Sequence, residues 1–127
     1  MDDDTRQHLK LAFVMHHVHA IVAADGEESF QEYQLLGQLF PRALLTDAGF
    51  LDDGQLTARW RDHRDASHRV LPELPRAERE EVFQLLWQAC GVDEMDAREL
   101  RTLSDAGVAL GFTSEEVTQM IVDFELG

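Results

Sequence analysis

Apolar residues recur at helical spacing along most of the chain. In "TRQHLKLAFVMHHVHAIVAA" the positions Leu11, Val14, Val18 and Ile21 share one stripe, which predicts an amphipathic helix over residues 5 to 24. "DGEE" ends it, because Gly26 can take the left-handed conformation that closes a helix. Ser29 and Glu32 then form an S-x-x-E capping box that satisfies two orphan amide donors. Tyr33, Leu35, Leu36, Leu39 and Phe40 supply the buried face of the helix so opened, and Pro41 stops it.

Residues 42 to 53 read as a short helix or turn followed by a loop, since Gly49 and an Asp pair break the pattern. From Gly54 a weaker helix is predicted, with Leu56, Trp60, His63 or Arg64, and Val70 or Leu71 at rough helical spacing. Pro72 and Pro75 bracket a break. Pro75 suits the first turn of a helix in which Glu78, Glu80 and Glu81 meet the positive dipole end. Its stripe is Val82, Leu85, Leu86 and Ala89. Asp96 with Glu99 marks another capping box, opening a helix through Leu100, Leu103, Val108 and Leu110 to Gly111. Thr113 with Glu116 marks a third, opening the last helix through Val117, Met120, Ile121 and Phe124.

No strand-like alternation competes with this pattern. The sequence therefore predicts an all-α fold, a single-domain bundle of about six to seven helices over residues 1 to 127. A 44% hydrophobic content is enough to fill a core without a disulfide or structural metal. Cys90, the only cysteine, falls in an apolar run and reads as a buried thiol.

Charge narrows the function classes. Asp and Glu number 25 against 11 Lys and Arg, a formal charge of -14. That field repels nucleic acid and anionic membrane surfaces and attracts cations and basic protein partners. The acidic start "MDDDTRQHLK" lacks the basic region of a signal peptide, and no apolar stretch is long enough to span a bilayer, so a cytoplasmic location without membrane insertion is expected.

Two acidic knots punctuate the helices. "AADGEESFQEYQLL" aligns with "CGVDEMDARELRTL" at an offset of 67 (92 minus 25), which places Glu27, Ser29 and Glu32 on Glu94, Asp96 and Glu99. Each knot follows one apolar helix and precedes another, so the two read as pseudo-repeated helix-loop-helix units. With the closing "LGFTSEEV", they resemble the tellurite-resistance TerB-like family, whose pattern is an A-D-G-E-x-x-x-x-E knot after a hydrophobic helix and then a second such knot. The resemblance implies an all-helical domain whose acidic clusters bind divalent metal, in bacterial stress response or beside chaperone and membrane-linked systems. The second knot departs from the pattern, with Val92 and Asp93 in place of Asp25 and Gly26.

Asp25, Glu27, Ser29 and Glu32 offer oxygens at relative positions 1, 3, 5 and 8. Such ligands select calcium, magnesium or manganese over zinc. Alternatively, Ser29 and Glu32 are occupied in capping, and the remaining carboxylates solvate a loop and complement a helix dipole. For Asp93, Glu94, Asp96 and Glu99 the capping account is the simpler. His16 and His19 share a helix face with His17 beside them, but without metal-ligand spacing they read as core-edge or capping histidines. In "DHRDASHR", Asp62, His63, Asp65 and His68 read as a solvated face, while Trp60 and Trp87 read as core anchors.

No phosphate loop, nucleophile elbow or Ser/His/Asp signature is present. The sequence points to a non-enzymatic domain that binds a divalent cation through Asp25 and Glu32, aided by Glu27 and Ser29. The alternative is a metal-independent module presenting its acidic surface to a protein partner. An enzyme with a histidine-carboxylate metal centre is the remaining class.

Overall fold

The computed structural model describes residues 2–22, 37–38, 40–89 and 97–126. Its elements in chain order are α1 (Asp3–Val22), α2 (Arg42–Asp47), β1 (Leu51–Asp52), β2 (Gln55–Leu56), α3 (Ala58–Val70), a 3-10 turn (Leu71–Glu73), α4 (Arg76–Ala89), α5 (Ala97–Ala109) and α6 (Ser114–Leu126). The fold is an all-α bundle. Among the described residues no helix is long and apolar enough to cross a membrane.

Helix α1 packs against α3, α4 and α5, and so runs through the centre of the described structure. It buries Leu9, Ala12, Phe13, Val18 and Ile21. Leu11 and Val14, expected on the buried stripe, are only half-buried. The main core joins Phe13, Val18 and Ile21 to Phe83, Leu86, Leu103, Leu110 and Val117. A smaller cluster gathers Ala12, Leu45, Phe50 and Trp60 beneath the α2 region. Both tryptophans are core anchors, as the sequence suggests.

Two further stripe positions differ from expectation. Leu85 is 51% exposed, and Phe83 and Trp87 are buried in its place; on α5, Val108 is 48% exposed and Leu100 is exposed as well, while Ala106 and Gly107 face inward. Small residues turn inward because α5 lies tight against its neighbours. A β-carbon on Gly107 would fall 2.6 Å from Val117 Cγ2 and 3.0 Å from Phe83 Cε1.

The segment predicted as a turn and loop holds α2 and then a small antiparallel hairpin, Leu51 opposite Leu56 and Asp52 opposite Gln55. Its turn is Asp53-Gly54, with φ of 51° and 77°, the two left-handed positions of a type I′ turn. Thr57 then joins hairpin to helix. Its hydroxyl donates to the Gly49 carbonyl at 2.6 Å and accepts from the Trp60 amide at 3.2 Å, capping α3. That cap sets Trp60 on the inward face of α3.

The Thr113–Glu116 capping box forms as predicted: the Thr113 amide donates to Glu116 Oε1 at 2.9 Å, and the Glu116 amide donates to Thr113 Oγ1 at 3.1 Å. The Ser29–Glu32 box lies outside the described residues, as do Asp96 and Cys90.

Candidate metal centre

Three imidazoles meet where α1 faces α3. His16 and His17 come from α1 and His68 from the last turn of α3, and their ligand atoms all lie within 4.8 Å of one another. All three side chains are half-buried. Phe13 floors the cluster, its ring centroid 4.2 Å from that of His17 and 5.0 Å from that of His68.

Hydrogen bonding fixes the tautomers. His68 Nδ1 lies 2.8 Å from the Arg64 carbonyl, which can only accept, so Nδ1 carries the hydrogen and Nε2 of the neutral ring holds a lone pair. His17 Nε2 lies 2.9 Å from His68 Nε2 and therefore donates to it. Ser67, fully buried, donates to the same Arg64 carbonyl at 2.6 Å and so stiffens the turn that carries His68.

The cluster stays uncharged at neutral pH. Burial pushes the His17 pKa down to about 3, and the neighbouring His16 and His68 add to the effect. His16 is lowered by burial first, then by His68, Arg64 and His19, with Asp65 opposing. Neutral imidazoles offer the lone pairs that a metal ion needs.

A tetrahedral zinc site with Zn–N near 2.0–2.1 Å places its nitrogens roughly 3.3 Å apart. The His17–His68 separation is close to that, and side-chain rotation closes the wider edge. The Nδ1–H to carbonyl bond of His68 is the outer contact that commonly orients a ligating histidine. Three imidazoles without a carboxylate or thiolate suit a borderline ion such as zinc, cobalt, nickel or copper.

The remaining histidines lie apart from this trio. His63 Nδ1 bonds the Arg59 carbonyl at 2.8 Å, and its ring packs against Phe50 with His8 6.3 Å away. His19 is exposed. Asp62 and Asp65 are exposed as expected, and Asp65 pairs with Arg64 at 3.1 Å. The solvated-face expectation thus holds for the two aspartates and fails for His68, which α1 covers.

Of the residues expected to hold metal, Asp25, Glu27, Ser29, Glu32, Asp93, Glu94 and Asp96 lie outside the described residues. Glu99 is half-buried in the first turn of α5. The trio escaped the spacing rules because its two α1 members are adjacent and its third lies 51 positions beyond His17. One signal was available: all six histidines fall within residues 8 to 19 and 63 to 68.

A cleft of about 400 Å³ opens beside the trio, with Met15, His16, His19, Leu45, Leu56 and Trp60 among its walls. Comparison with protein families, curated proteins and solved structures found no match.

Proposed function

We propose that this chain is a helical binding domain for a borderline divalent metal ion, held by His16, His17 and His68. The observation that supports it most is the convergence of three half-buried imidazole ligand atoms within 4.8 Å. The lowered pKa of His17 and the Nδ1–H tautomer of His68 both favour a free lone pair at neutral pH. The role is binding, without turnover.

The test is a titration of EDTA-treated protein with zinc and cobalt(II), followed by calorimetry and by cobalt absorption. One ion per chain is expected, with affinity at least about tenfold weaker in His68→Phe, a variant that keeps an aromatic ring against Phe13. Binding that is unchanged in His16→Phe, His17→Phe and His68→Phe removes the reading.

The acidic knots support a second cation site on sequence grounds, with Asp25, Glu27, Ser29 and Glu32 as oxygen ligands in a TerB-like stress-response domain. Its ions are calcium, magnesium or manganese, and Asp25→Ala tests it without touching the histidines. The charge of -14 further favours a basic protein partner over nucleic acid.

A further inference from the structure

His16 has two roles in the geometry: it belongs to the imidazole trio and it lines the adjoining cleft. An ion held by the trio therefore lies beside an apolar hollow of about 400 Å³, within the size range of small-ligand sites. A three-histidine site leaves at least one coordination position for an outside ligand.

Charge decides what that ligand is. Three neutral imidazoles leave both positive charges of the ion uncompensated in a half-buried setting, which favours an anionic fourth ligand. No carboxylate joins the trio among the described residues. Asp65, the carboxylate acting on His16, is exposed and already paired with Arg64 at 3.1 Å. Acidic groups farther than about 8 Å are screened at physiological ionic strength.

The cleft wall adds a second observation. Trp60 is 9% exposed, and its indole Nε1 is buried with no hydrogen-bond partner among the described residues. A buried donor without an acceptor is costly, and a ligand oxygen at the indole edge relieves that cost. Around it, Met15, Leu45 and Leu56 offer only apolar surface.

We propose that the cleft takes a small carboxylic acid with an apolar body, its carboxylate completing the coordination of the ion on His16, His17 and His68 and its body lying between Met15, Leu45, Leu56 and Trp60. The proposal rests on the metal-binding reading above. It involves binding alone, with no bond made or broken beyond the coordination.

The test uses the full chain loaded with cobalt(II), whose visible absorption reports the ligand sphere. Acetate and 3-phenylpropanoate are titrated in parallel, in wild type and in Ala20→Leu, which narrows the cleft from the wall that Ala20 forms. Wild type should bind 3-phenylpropanoate at least tenfold more tightly than acetate, with a changed cobalt spectrum. In Ala20→Leu the cobalt spectrum without acid should be retained and the preference should fall below threefold.

Equal affinity for the two acids in cobalt-loaded wild type overturns the cleft proposal and leaves the metal reading standing. Binding of 3-phenylpropanoate that is as tight without cobalt overturns the coordination of its carboxylate. If wild type shows no cobalt absorption and no cobalt in chelator competition, both the proposal and the metal reading fall.

Discussion

His17 Nε2 lies 2.9 Å from His68 Nε2, and the Arg64 carbonyl decides which ring supplies the proton between them. Because that carbonyl holds the Nδ1 hydrogen of His68, the proton in the gap belongs to His17. Placing an ion there requires only that the His17 hydrogen move to its other nitrogen. The pair is thus held together in the metal-free protein by the same two atoms that would grip the ion.

Keeping His17 neutral has a consequence for acid stability. Its folded pKa of about 3 lies below its ordinary value of 6.5, so below pH 6.5 the unfolded chain takes up a proton that the folded chain refuses. The contribution is complete above about pH 6.5 and is lost as pH falls toward 3, at up to about 1.4 kcal/mol per pH unit. His16, lowered for the same first cause, adds in the same direction. In His17→Phe the stability difference between pH 7 and pH 5, measured by urea unfolding, should be about 1–2 kcal/mol smaller than in wild type. Identical differences in the two proteins would refute the buried neutral state.

Gly107 marks the tightest approach among the described helices. Alanine is the better helix former by about 1 kcal/mol, so an open site would gain from the change. Here the new methyl would meet Val117 at 2.6 Å and Phe83 at 3.0 Å, both on buried side chains. Gly107→Ala should lower stability by about 1–3 kcal/mol, and the double variant Gly107→Ala/Val117→Ala should lose less than the sum of its single changes. Additive losses in the double-mutant cycle would mean that the two residues do not meet.

The capping box at the start of α6 gives a test of local sequence against tertiary packing. Thr113→Ala removes the oxygen that accepts from the Glu116 amide at 3.1 Å. A loss of about 1 kcal/mol is expected in thermal or urea unfolding, with the fold retained. Thr113→Ser keeps the acceptor and should restore most of it.

Much of the fold is legible in the sequence because it is written locally. The Thr113–Glu116 box, the stop at Pro41 and the start after Pro75 each depend on neighbours within four positions. The hairpin was equally local: Asp53-Gly54 is a type I′ signal, obscured by strands of only two residues. What failed was the choice of which apolar residues face inward. Leu85 and Val108 fit their helical stripes, yet α5 approaches so closely that Gly107 and Ala106 take the inner face. The trio was illegible for a related reason. Neighbours such as His16 and His17 point about 100° apart on a helix, and only the α1–α3 packing brings His68 to them.

Metal should stabilise the folded chain by mass action, and the histidines allow an internal control. An ion that binds only the folded form at a hundred times its dissociation constant adds about 2.7 kcal/mol, raising the thermal midpoint by several degrees in a chain of this length. His63→Gln alters a histidine bonded to the Arg59 carbonyl and packed on Phe50, away from the trio. Its zinc-induced midpoint shift should match wild type, whereas His68→Phe should lose the shift and EDTA should reverse it in both competent proteins. A shift that survives in His68→Phe but vanishes in Asp25→Ala would move the ion to the first acidic knot. A shift lost in His63→Gln would place it among the other histidines.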